Sequence, residues 1–167
     1  MLKRLSDISN PHSLASRLRA RRLERFQRIA RAFDAPVRVL DVGGTVHFWD
    51  QAAATLQFPC EVTLLTTEAH PIPPGHPICV ASFAGDGRDM RSLGDRSFDV
   101  VFSNSVIEHV GTFRDQLAMA KEIRRVGRSY YVQTPNRYFP IEPPFLCPCW
   151  QFFPISLRAF LHRHVHI

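Results

Sequence analysis

Apolar positions along the chain alternate between two spacings. The segment LASRLRARRLERFQRIARAF places Leu14, Leu18, Phe26, Ile29, Ala30 and Phe33 near one helical face, with arginines on the other and Ser13 positioned as N-cap. Pro36 marks the entry to a new unit, and Val37 to Val42 is a mainly apolar run. Continuous rather than alternating apolar runs suit parallel strands covered on both faces. A helix is expected from about Trp49 to Leu56. A second strand follows at Cys60 to Thr67, a third at His76 to Phe83 after the turn HPIPPG, and a fourth at Ser97 to Asn104. Thr112 to Val126 reads as a helix with Phe113, Leu117, Ala120 and Ile123 as its inward stripe, and Arg128 to Thr134 as a fifth strand. Strands alternating with helices predict an α/β fold with a mainly parallel sheet.

The last part of the chain changes character. PNRYFPIEPPFLCPCWQFFP holds six of the thirteen prolines, which argues against a regular helix or a central strand. A long loop over a sheet edge or a pocket is expected there, and ISLRAFLHRH resumes helical spacing.

Charge changes the picture at one end only. The net charge is +6, and residues 1–36 hold nine Lys/Arg against three Asp/Glu, so the excess sits in the basic helix. Residues 1–36 are therefore read as a basic amphipathic helix and 37–167 as the α/β domain. Aromatics do not interleave with the arginines as a nucleic-acid platform requires, so no nucleic-acid partner is expected. A solvated helix is favoured over peripheral contact with an anionic membrane. MLKRLSDISN lacks an apolar signal core, so a reducing, cytoplasmic setting is expected for Cys60, Cys79, Cys147 and Cys149. Cys147 and Cys149 have no second Cys/His pair at zinc spacing, and His162, His164 and His166 would share a face only on an extended strand, so no metal is expected.

In an open α/β sheet ligands bind beyond the carboxyl ends of the strands. Here those positions read DVGGT, TTE, GDGRD, SNSVIEH and TPNRY, which are rich in small residues and carboxylates. DVGGT starts like a dinucleotide turn, but Val46, His47 and Phe48 stand where its third glycine would fall. That pattern disfavours a nicotinamide cofactor.

Taken together, VRVLDVGGT, GDGRDMRSLGDRSFDVVFSNSVIEHV and YYVQTPNRYFPIEPPF resemble the class I S-adenosylmethionine-dependent methyltransferases. The resemblance is strongest to the bacterial type 11-like group and runs from about Val37 to Phe145. It implies a Rossmann-like, doubly wound sheet of order 3-2-1-4-5 and S-adenosylmethionine as cofactor. Gly43, Gly44 and Thr45 would form the cofactor turn, and Asp41 would help to hold the ammonium end. Asp86 would accept from the adenine amino group, with the Gly87 amide facing the ring. Ser103 and Asn104 would lie where donor and acceptor meet. His109 is either a general base or a structural histidine. At the end of the second strand, where the family carries a ribose-gripping acid, this chain has Thr66, with Glu68 two residues on as a substitute.

The resemblance further implies methyl transfer; with no nucleic-acid module in the sequence, the expected acceptor is a small molecule or glycan-type metabolite, and the aromatic, proline-rich segment Tyr138 to Phe153 is either lid and acceptor wall or hydrophobic packing under a loop. The alternative is a non-catalytic or truncated methyltransferase fold that serves as a binding partner or subunit. The family's final antiparallel hairpin is expected to be absent or reduced to a remnant at HRHVHI. Strand five would then be an exposed edge, which predicts that the chain self-associates as a homo-oligomer or is marginally stable, with activity weak or missing.

Overall fold

A computed structural model describes residues 14–136, 141–142, 147–148 and 152–164. The chain divides into two compact units, one of Arg22–Thr134 and one of Met1–Arg21 with Pro135–Ile167.

The larger unit is built on a five-stranded, all-parallel sheet of order β3-β2-β1-β4-β5, as a Rossmann-like doubly wound fold requires. Its strands are β1 (Val37–Val42), β2 (Cys60–Thr66), β3 (Cys79–Ala84), β4 (Phe98–Asn104) and β5 (Gly127–Gln133). The β1–β2 ladder sets Val37 beside Cys60 and Val42 beside Leu65, and β4 pairs with β5 from Phe98–Gly127 to Asn104–Gln133. Those registers bring all the strand ends of interest to one edge.

Within the larger unit, residues 22–30 of helix α1 (Leu14–Ala30) and helix α2 (Val46–Ala53) cover one face of the sheet. Phe26 and Trp49 are fully buried there with Val39, Val62 and Val100. Phe26 meets Trp49 and Phe102 edge-on, and Phe102 stacks on Tyr131 at 5.5 Å. Burying aromatic and branched side chains is the main stabilising contribution, about 1.5–3 kcal/mol for each large apolar side chain. The larger unit includes the end of the basic helix, from Arg22 onward. The arginines Arg21, Arg25 and Arg28 are exposed on its outer side.

Helix α3 (Phe113–Val126) covers the other face, against Leu40, Val42, Leu65 and Val101. Its buried stripe is Met119, Ile123 and Val126. The expected stripe is corrected by this packing: Phe113 and Leu117 are exposed, because the helix turns Met119 rather than Leu117 onto the sheet. Thr112 caps it with Asp115 in a reciprocal capping box.

Three further boundaries differ from expectation. Helix α2 begins at Val46 and ends at Ala53, because the Thr45 hydroxyl accepts from the Phe48 amide and starts the helix directly after the glycine turn. Strand β3 begins at Cys79, because the amides of Ile78 and Cys79 donate to Nδ1 of His76 and keep residues 76–78 in a turn. The proline-rich segment, expected to supply no paired strands, holds a two-residue antiparallel ladder of β6 (Ile141–Glu142) with β7 (Cys147–Pro148).

In the smaller unit, helix α4 (Ile155–His164) includes His162 and His164, so the described part of HRHVHI, residues 162–164, is helical and these two histidines do not alternate on an extended face. Ser13, His166 and most of the lid segment Tyr138 to Phe153 lie outside the described residues. Among the described residues no helix is long and apolar enough to cross a membrane, and no group of three His, Cys, Asp or Glu could hold a metal.

Candidate functional site

The turn after β1 is set by packing. Asp41, the last polar residue of the strand, is buried at 1% exposure. Its Oδ2 accepts from the Trp49 indole N–H at 2.8 Å, and its Oδ1 has no partner. Burial pushes its carboxyl up to about 7, and the Trp49 hydrogen bond opposes that shift. A Cβ at Gly44 would lie 1.7 Å from Asp41 Oδ2, so only glycine lets the chain pass the carboxyl. Gly43 has φ +80°, a left-handed value, and a Cβ there would lie 2.6 Å from Val106. Both glycines are therefore required by neighbouring side chains of the protein itself.

Asp41, Gly43, Gly44, Thr45 and Asn104 come together around a cavity of about 200 Å³, with Phe48 and Phe102 completing its wall. It lies at the carboxyl ends of β1 and β4. A hollow of about 340 Å³ opens at the opposite ends of the strands, among Arg38, Glu61 and Ser97.

Other expected site residues lie outside the cavity wall. The Thr66 hydroxyl donates to the Glu68 carbonyl at 2.5 Å, which closes the turn after β2, and the Glu68 side chain is exposed. Asp86 accepts from Arg88 and stays ionised, with its carboxyl lowered by hydrogen bonds to that guanidinium and to the Arg88 amide. Gly87 packs against the core, because a Cβ there would lie 2.9 Å from Val42. Ser103 is fully buried and its hydroxyl donates to the Val42 carbonyl at 3.0 Å, which ties β4 to β1. His109 is exposed in the single 3₁₀ turn Ile107–His109, next to Glu108, whose two carboxylate oxygens are buried without a partner.

The sequence reading missed Phe48, Phe102, Trp49 and Arg88. The signal for the first and third was present in VHFWD, where two aromatics directly follow the glycine turn; it was read only as a missing glycine. Arg88 was hidden because its long-range partner, Asp115, lies 27 positions away.

The residues fit the amino-acid end of S-adenosylmethionine. An unpartnered acid oxygen suits an ammonium group, and the Gly43–Gly44 turn lets backbone approach a ligand. Asp86 offers a carboxylate just beyond β3, occupied here by Arg88. The ribose end fits less well, since Thr66 brings no charge and its proton is already committed.

Residues 55–129 match the family model described as a methyltransferase domain. An uncharacterized protein, Rv1509, of Mycobacterium tuberculosis strain H37Rv is 31% identical over 71 residues, which is 42% of this chain and 24% of that protein. Among solved structures, the S-adenosylmethionine-bound amino pentose methyltransferase CalS10 of Micromonospora echinaspora, involved in calicheamicin biosynthesis, superposes with a TM-score of 0.51 at 23% identity. That likeness covers 76% of this chain and 57% of that one. WbdD superposes with a TM-score of 0.54 at 15% identity, over 80% of this chain and 28% of that one. At such identities the likeness is one of fold. The chain spans about a quarter of the length of the curated relatives it matches.

Proposed function

We propose that this chain is a class I S-adenosylmethionine-dependent methyltransferase, a reading supported by the methyltransferase-domain match and the shared fold, and that it moves a methyl group from that cofactor to a small-molecule or glycan-type acceptor. The observation that carries the reading is the buried Asp41 beside Gly44, a residue that lines the cavity at the strand ends and keeps one carboxylate oxygen without a partner. When bound, S-adenosylmethionine supplies an electrophilic methyl on a sulfonium, and the protein's work is alignment and exclusion of water. Asp41 holds the ammonium end. Phe48 and Phe102 keep the wall dry, and Asn104 provides a polar contact where donor and acceptor meet. Asp86 and the Gly87 amide take the adenine. His109, exposed beside the end of β4, receives the proton that an oxygen or nitrogen acceptor sheds. Glu68 takes the place of the missing ribose acid beside Thr66.

The acceptor class is supported by the absence of a nucleic-acid platform among the basic residues and by the sugar substrate named for CalS10. A cytoplasmic setting is proposed from the sequence, and a homo-oligomer from β5, the edge of the five-stranded sheet, where Tyr130 and Val132 are exposed.

A second reading, binding without turnover, is favoured by one observation: Thr66 stands where a ribose-gripping acid is expected, and its hydroxyl is already used. Titration of the chain with S-adenosylhomocysteine and with NAD, followed by a transfer assay with labelled S-adenosylmethionine over a panel of small-molecule and glycan acceptors, separates the readings. Binding of S-adenosylhomocysteine alone, together with labelled product, is expected. Binding without any labelled product supports the second reading. No binding of S-adenosylhomocysteine overturns both.

A further inference from the structure

The Arg88 guanidinium stands between two carboxylates on different elements. Its Nε donates to Asp86 Oδ1 and Oδ2 at 3.0 and 2.9 Å, and its Nη2 donates to Oδ2 at 2.7 Å. The Arg88 backbone amide donates to Oδ1 at 2.8 Å. A carboxylate offers about four lone-pair sites, and these contacts take them all. The remaining arm, Nη1, donates to Asp115 Oδ1 at 3.1 Å. Asp115 Oδ2 meanwhile accepts from the Thr112 amide at 2.8 Å and the Thr112 hydroxyl at 2.7 Å, in the capping box that opens α3.

The adenine amino group assigned to Asp86 needs one of those lone pairs, so ligand and guanidinium compete for the same carboxylate. Arg88 is free to yield. Its side chain is 44% exposed, and the pair with Asp86 is a local one across two residues in a loop. Such exposed pairs are weak. A second carboxylate is already in contact with the arm that faces away from Asp86.

We infer that Arg88 is a specificity-determining residue that competes with adenine for Asp86, and that adenine binding transfers the guanidinium to Asp115 at the first turn of α3. The inference rests on the adenine assignment made above. It gives the α3 start, which follows the Ile107–His109 turn, a direct link to cofactor occupancy.

The test is a double-mutant cycle read by titration with S-adenosylhomocysteine, which lacks the sulfonium and is net neutral, so the lost arginine charge itself has little effect on its affinity. Arg88→Met is expected to bind roughly two- to tenfold more tightly than the parent chain. It is expected to leave the affinity of the analogue with hydrogen in place of the 6-amino group unchanged. Asp115→Asn, which keeps an oxygen for the Thr112 cap, is expected to weaken binding severalfold when Arg88 is present and to have no effect beside Arg88→Met. Should Arg88→Met fail to fold, Arg88→Lys keeps the charge but not the fork, and is expected to bind more tightly than the parent by a smaller factor. Unchanged or weaker binding in the folded Arg88 variants, or an equal Asp115→Asn effect in both backgrounds, overturns the inference while leaving the cofactor reading in place. No binding by the parent chain overturns the cofactor reading and this inference with it.

Discussion

Asp41 and Asp86 are both carboxylates set just where parallel strands deliver ligands, yet the protein treats them in opposite ways. Asp41 is buried at 1% exposure, keeps one oxygen without a partner, and has its carboxyl pushed up to about 7. Asp86 is exposed, ionised and fully occupied by Arg88. A cationic ligand group arriving at Asp41 relieves an existing penalty, because it compensates a charge that burial disfavours. A neutral amino group arriving at Asp86 must first displace an ion pair. Tight binding should therefore come from the amino-acid end of the cofactor, and discrimination from the adenine end.

The largest expected effect breaks the first region sterically. Gly44→Ala puts a Cβ on the Asp41 carboxyl, so it should destabilise the chain by several kcal/mol and abolish S-adenosylhomocysteine binding. Because the clash is with Asp41, the double variant Gly44→Ala, Asp41→Ala should recover much of the lost thermal stability. A double variant that melts no higher than the single one would show that something other than this contact selects glycine.

Next is the titration of Asp41. A carboxyl raised in the folded state lends stability that is fully present below the ordinary carboxylate range, near 3.8, and is lost as pH rises through about 7. Asp41→Asn removes that loss. Its melting temperature should exceed that of the parent above neutrality by an amount worth a few kcal/mol, and the difference should shrink towards acid. A constant difference across pH would count against the buried titration.

The second region should respond less. Asp86→Ala is expected to weaken S-adenosylhomocysteine binding by about 1 kcal/mol. That is the low end of the range for losing a hydrogen-bond partner, since Asp86 must first give up Arg88. Asp89 pairs with exposed Arg91, so Asp89→Ala should change affinity by less than about 0.5 kcal/mol. Titrations in which Asp89→Ala does the damage would shift the adenine register by three residues.

Much of this architecture can be read from the chain. Runs with an apolar centre such as FDVVFSN announce buried parallel strands, because a strand covered on both faces leaves little room for polar residues in its middle. Boundaries were harder, since single hydrogen bonds settle them: Thr45 starts α2 and His76 holds back β3. The α3 stripe was misplaced because Leu117 and Met119 are both apolar, and only the angle of the helix on the sheet decides which one is buried. Within the site, the glycine turn and its acid were legible as DVGGT. The commitment of Ser103 to the Val42 carbonyl was not, because it joins residues 61 apart. The same limit hid the pair of Arg88 with Asp115.

The smallest expected effect concerns the sheet edge. Tyr130→Lys on β5 replaces an exposed aromatic with a charge that opposes edge pairing, and sedimentation should show less self-association without loss of fold. Equal association in parent and variant would place the contact elsewhere.

The central claim is that Asp41 receives the cationic end of S-adenosylmethionine, and calorimetric titration with S-adenosylhomocysteine, which keeps that ammonium group, tests it most directly. Binding shifts the carboxyl of Asp41 downward, so it should release protons near neutrality. Affinity should then rise severalfold from about pH 6 to about pH 8 and stay flat over that range in Asp41→Asn. A parent affinity that does not change with pH, or the same pH dependence in Asp41→Asn, would contradict the account.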